Sequence, residues 1–136
     1  MSAAPDSCVH LTVEIVKEIH GAALAAFGGT SGIRDEGLLH SAVAAPQATL
    51  GGQSPFADLA EVAGAYLFYL CRNHPFVDGN KRAALAAALA FLWLNGQELE
   101  AEEGELTDVV MGVAEGRVGK AEAAEFIRTR LRALQP

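Results

Sequence analysis

Arg72-Asn73-His74-Pro75-Phe76-Val77-Asp78-Gly79-Asn80-Lys81-Arg82 runs directly into Ala83-Ala84-Leu85-Ala86-Ala87-Ala88-Leu89-Ala90-Phe91-Leu92-Trp93-Leu94-Asn95-Gly96. The first half gathers an imidazole, a carboxylate, an amide and three cations into a short loop. The second half is built from Ala and Leu, the strongest helix formers, and stops at Asn95-Gly96, where glycine takes the left-handed conformation cheaply. Because Ala83 to Leu94 is apolar on every face, the spacing predicts a helix, Asn80 to Asn95, surrounded by other helices. A membrane span is excluded, since about 12 apolar residues fall short of the roughly 20 that a bilayer needs.

The start of that helix collects unpaired backbone N–H groups and the positive end of the macrodipole. Lys81 and Arg82 in its first turn add like charge to a positive end, a cost that makes sense where an anion such as phosphate is to be held. Gly79 lets the backbone approach such an anion. His74 stands where a general base belongs, and Asp78 has the chemistry to hold a divalent cation against phosphates. A lone His before Pro, or Lys-Arg at a helix start, is ordinarily only a solvated loop feature; it is the whole string at this spacing that carries meaning.

His74-Pro75-Phe76-Val77-Asp78-Gly79-Asn80-Lys81-Arg82 resembles the signature of the Fic/Doc superfamily, H-x-F-x-[DN]-[AG]-N-[KG]-R, at seven positions without a gap. The two branches of that superfamily part inside the motif. The Fic branch, which transfers AMP to a hydroxyl, reads H-P-F-x-[DE]-G-N-G-R-x-x-R, whereas this chain has Lys81 for the second Gly and Leu85 for the last Arg. The death-on-curing (Doc) branch carries the Lys and lacks that Arg, and the chain resembles it. A Lys side chain at 81 and a Leu at 85 remove the room and the grip that a diphosphate uses in the Fic arrangement, so the gamma phosphate would be the one presented to His74. One departure is Ala86, where some Doc relatives carry Asn.

The helical segments add up to a compact all-α fold of about six helices in a single Fic/Doc-like domain over 1–136, with 1–11 a loosely ordered lead-in, and the resemblance covers roughly residues 11 to 134. It implies transfer of the gamma phosphate of ATP to a Ser or Thr hydroxyl of a protein, elongation factor Tu being the target described for the branch, and a toxin restrained by a small Phd-like antitoxin. No [ST]-x-x-x-E-[GN] string of the self-restraining Fic proteins is present. In the roles so implied, His74 takes the hydroxyl proton, Asp78 holds Mg²⁺, Gly79 and Asn80 donate backbone and amide hydrogen bonds, and Lys81 and Arg82 balance phosphate charge. Arg72, at a helix C-terminus where a cation is favourable in any case, becomes a further phosphate contact. The runner-up activity is AMP transfer, and a catalytically inactive binding module is a third reading.

The remaining composition bounds these expectations. With 136 residues, 51% of them apolar, the chain supports one core. A formal charge of −7 and a pI near 5.0 argue against nucleic acid or an anionic membrane as partner. Cys8 and Cys71 have no disulfide or metal spacing, and the N-terminus lacks a basic-then-apolar signal, which fits a reducing, cytoplasmic setting.

Along the chain, His10 reads as surface. Thr12 is a helix cap, and Val13, Ile15, Val16, Ile19, Ala23, Leu24 and Phe27 form one helical face, leaving His20 exposed; Gly28-Gly29 ends that helix. Asp35 caps a short helix that stops before Pro46, and Ile33, Arg34 and Asp35 are expected to border the target-docking site. Phe56 anchors a Gly- and Pro-containing loop, after which Asp58 caps a helix from Leu59 to Asn73 whose Tyr66, Phe68 and Tyr69 belong to the core. Glu98 to Ala101 reads as a short extended piece within an acidic, solvated turn. A fifth helix is expected over about Leu106 to Glu115, and a last one from about Lys120 to Leu134.

Overall fold

A computed structural model describes residues 5–135. Met1–Ala4, part of the expected lead-in, lie outside the described residues. Six α-helices follow in chain order: α1 Val13–Phe27, α2 Glu36–Ala44, α3 Leu59–Asn73, α4 Asn80–Leu94, α5 Glu103–Glu115 and α6 Lys120–Arg128. Two three-residue strands, β1 Gln97–Leu99 and β2 Leu131–Ala133, pair antiparallel with Glu98 opposite Arg132. The fold is all-α, with this ribbon as its only sheet among the described residues.

Helix starts follow local chemistry. Thr12, Asp35 and Asp58 each accept a hydrogen bond from the amide three residues on, at 3.1, 2.9 and 2.9 Å. Glu105 accepts from Glu102 N–H, which starts α5 at Glu103, ahead of the expected Leu106. Pro46 ends α2 by placing a 3₁₀ turn over Ala45–Gln47.

The expected central helix is only part of the centre. α4 packs against α1, α3, α5 and β1, but its far end is open, with Trp93 63% exposed. The more deeply buried element is α3, which hides Leu59, Val62, Tyr66, Leu67 and Leu70 and touches α2, α4, α5 and α6. Leu and Ala alone did not distinguish them: α3 is covered on several sides, whereas α4 carries its chemistry at one end and reaches the surface at the other.

Gly64 explains how α6 comes so close. A Cβ at Gly64 would stand 3.1 Å from the Ala124 backbone, so hydrogen in its place lets the two helices meet. The expected continuation of α6 to Leu134 does not occur. Thr129 Oγ1 donates to the carbonyls of Glu125 and Phe126, Arg130 donates to the Phe126 carbonyl, and the chain turns to pair with β1. At the other end, Leu11 is buried, and Val9 exchanges two hydrogen bonds with the Asn95 amide at 2.7 and 2.8 Å. Residues 8–11 are therefore docked. His10, expected on the surface, is half-buried and bonded to the Tyr66 hydroxyl at 2.9 Å.

Candidate active site

The motif loop His74–Gly79 joins the C-terminus of α3 to the N-terminus of α4, and most of its polar groups are spoken for. Asn80, buried at the first position of α4, accepts from Phe76 N–H through Oδ1 and donates to the Phe76 carbonyl through Nδ2, both at 2.9 Å. Its side-chain amide thus closes the loop on itself through its oxygen and one of its two N–H groups, both directed at Phe76. Gly79 adopts φ 77°, ψ 18°, left-handed geometry that a side chain would strain.

A second clamp comes from the segment before α2. Ile33 bridges to Phe76, Val77 N–H donates to the Gly32 carbonyl, and Arg34 and Asp35 N–H both donate to the Pro75 carbonyl. Arg34 reaches further. Its Nε donates to the His74 carbonyl at 2.6 Å and its guanidinium to the Asn73 carbonyl at 2.9 Å. Those are the last carbonyls of α3, and His74 is the only non-glycine residue at positive φ, 49°, among the described residues. At the side-chain level Arg34 caps α3 and fixes His74, while Asp35 caps α2. Ile33 is 37% exposed.

Asp78 is held by two amides. Oδ2 accepts from Thr30 N–H at 3.0 Å and Oδ1 from Gly79 N–H at 2.9 Å. These bonds, the Thr30 one foremost, keep its carboxyl below the ordinary carboxylate range. It is exposed and ionised, and it is among the residues that line the cleft before α4. No group of three or more metal-ligating side chains occurs among the described residues. A single exposed carboxylate nevertheless fits Mg²⁺, which takes one or two carboxylates and completes its shell with water or phosphate oxygens where a polyphosphate is bound.

Before α4 opens a cleft of about 520 Å³ lined by His74, Asp78, Gly79, Lys81, Arg82 and Leu85 on one side and by Thr107, Val110, Met111 and Ala114 of α5 on the other. The His74 ring makes no hydrogen bond to a described residue and stands exposed at the mouth. Lys81 has neither an ion pair nor a hydrogen bond among the described residues, so its charge is unclaimed. Arg82 lies over the Phe27 ring, 4.4 Å from its centroid. Every other α-helix has an acidic residue in its first turn, and α4 has none. The cations Lys81 and Arg82 thus sit at an N-terminus whose amides no side chain caps.

The expected Arg72 is not in this cleft. Its guanidinium turns to the C-terminus of α5, with Nη1 3.5 and 3.4 Å from the carbonyls of Val113 and Ala114. A cation on either helix C-terminus is favourable, and α5 offered free carbonyls. Cys71 lines the cleft floor, where burial pushes its thiol up to about 11.

Three features were not foreseen from the chain. The α5 wall is brought in by tertiary packing alone. Thr30 acts through its backbone, which no side-chain pattern announces. His20, expected to be exposed, is buried with its ring flat on Phe76. One signal was present: Val16 and His20, the two buried residues of α1, are four apart, one helical turn on the same face.

A model of the Fic/DOC family matches residues 10–92. The protein named Toxin Doc from Mycolicibacterium smegmatis is 53% identical over 77 residues, 57% of this chain and 59% of that protein. The protein named Protein kinase doc from Escherichia phage P1 is 34% identical over 119 residues, 88% of this chain and 93% of that protein. The chain thus spans a little over half of the mycobacterial relative and nearly all of the phage one, and the matched family region contains the whole loop from His74 to Arg82 together with the clamps that hold it. The chain belongs to the Fic/DOC family, on its Doc branch.

Proposed function

We propose that this chain is a Doc-type toxin that transfers the gamma phosphate of ATP to a Ser or Thr hydroxyl of a protein target, with elongation factor Tu the first target to test and a Phd-like antitoxin as its restraint. The observation that carries the reading is the cleft itself: an unbonded imidazole, an ionised carboxylate, an unclaimed Lys81 and uncapped helix amides converge on one space. The names of the two relatives point the same way.

In this reading His74, set in place by Arg34, takes the proton of the attacking hydroxyl. Asp78 would hold Mg²⁺, which when bound neutralises phosphate charge. Lys81, Arg82 and the backbone N–H groups at the start of α4 bind and orient the polyphosphate, and Leu85 with Val110 and Met111 keeps water from the inner part of the cleft. Positioning and electrostatics supply most of the rate in phosphoryl transfer, so the charge arrangement matters more than any covalent step. Among the described residues no helix is long and apolar enough to cross a membrane, and the reading places the toxin in the cytoplasm beside its target.

The test is incubation of the purified protein with elongation factor Tu and ATP labelled on the gamma or, in parallel, on the alpha phosphate. Label from gamma alone supports the kinase. Label from alpha makes the protein an AMP transferase, and no transfer from either, to this target or to a Ser/Thr peptide library, leaves a binding module.

A further inference from the structure

His20 enters none of the steps above and does not line the cleft. Yet α1 buries it directly behind the motif. Its ring stacks on Phe76 with centroids 3.7 Å apart and planes 4° from parallel. Its Nε2 lies 2.7 Å from the Asp78 carbonyl oxygen. A carbonyl oxygen only accepts, so Nε2 carries the proton and donates it.

That bond has reach because the peptide unit is planar. Fixing the Asp78 carbonyl fixes the direction of the Gly79 N–H on the far side of the same plane. The Gly79 N–H in turn holds Asp78 Oδ1 at 2.9 Å, while Thr30 N–H holds Oδ2. Gly79 also accepts from Ala83 N–H at 2.9 Å, the first bond of α4. One buried donor therefore governs both the carboxylate and the register in which α4 begins. Nothing substitutes for it, because Gly79 has no side chain and no side chain caps α4.

We propose that His20 is a positioning residue of the cleft: its Nε2–H holds the Asp78–Gly79 peptide and, through it, the Asp78 carboxylate and the first amides of α4 that face the phosphates. It acts from the side away from the ligand. The inference rests on the reading that the cleft takes a nucleotide with Mg²⁺.

Two variants separate the hydrogen bond from the packing. His20→Phe keeps a ring against Phe76 and removes the donor; His20→Gln gives up the ring and keeps an N–H donor of similar reach. Binding of ATP with Mg²⁺ is measured by calorimetry without any protein target, alongside the thermal midpoint of each variant. H20F is expected to weaken binding about tenfold, the scale of one lost buried hydrogen bond, and H20Q to return to within about threefold of the parent. H20F binding as tightly as the parent, or H20Q binding as weakly as H20F, overturns the proposal. Amide hydrogen exchange at Gly79 and Thr30 supplies a readout that needs no nucleotide: protection is lost in H20F and kept in H20Q. If the parent protein binds no ATP, the nucleotide reading fails, and unchanged Gly79 and Thr30 protection in H20F would by itself sink the positioning role.

Discussion

His74 and Asp78 occupy opposite ends of the motif loop and are held by different means, which separates their expected phenotypes. Replacing His74 by Ala removes a side chain that bonds nothing else among the described residues, so the fold should persist while turnover falls about 10²–10⁴-fold, the range for losing a positioned base. Lys81→Ala should cost less, since Arg82 and the helix amides remain; equal losses in a labelled-ATP assay would remove the base assignment. Asp78 gives a pH prediction. Its folded pKa is depressed, so the stabilising contact with Thr30 is present in full above the ordinary value of 3.8 and is lost as pH falls through the lower folded value. The Thr30 amide resonance followed from pH 6 to pH 2 should therefore hold steady past 4 and move only below it. Asn80→Ala would behave unlike either. It strands the buried Phe76 N–H and carbonyl, and a loss of about 1–3 kcal/mol in urea unfolding is expected.

Among the elements, α3 sets what can be changed. At Gly64 an added methyl meets helix backbone, not a movable side-chain tip, so Gly64→Ala should separate α3 from α6 and cost about 1–3 kcal/mol by denaturant unfolding. The neighbouring ion pairs of Arg128 with Asp58 and Glu125 look stronger on paper, with Arg128 Nε at 2.7 Å from Asp58. They lie at the surface, where such pairs contribute roughly 0–1 kcal/mol, so Arg128→Ala should be the milder variant of the two. A reversal of that order would mean that α6 is held by charge and not by close packing. Arg34 links this scale to the site: it stabilises the C-terminus of α3 and the conformation of His74 with one guanidinium, so Arg34→Ala should lower turnover more than it lowers the melting temperature.

Across the whole molecule, the segments 9–11 and 131–133 are tied to α3, to the end of α4 and to the strand after it. The Tyr66 hydroxyl, pushed up to about 12 by burial, accepts from Leu11 N–H at 3.1 Å and meets His10, so the N-terminal segment is fastened to α3. Val9 is fastened to the end of α4 through Asn95, and β2 is fastened to the strand that follows α4. At the cleft Lys81 and Arg82 make no ion pair among the described residues. On the proposed reading these cations act as a local field set against the net charge of −7, so binding of ATP should weaken as salt rises through the screening range.

The sequence by itself determined the helices and the loop chemistry. Apolar spacing, cap residues and Gly-Asn stops are local, so the start of α1, the cap of α2, the bounds of α3 and the start of α4 could be placed without neighbours, and the motif from His74 to Arg82 named its family. Tertiary structure alone decided which polar groups are left over for function. Asn80, Arg34 and Arg72 look like ligand-binding residues in a string, but each directs its side chain to backbone groups; for Arg34 and Arg72 those partners lie some forty positions away. His20 looks idle in the string and is the group that folding brings against the motif. A hydrogen bond is settled by which partner arrives in space, and sequence spacing carries that information only within a turn of helix.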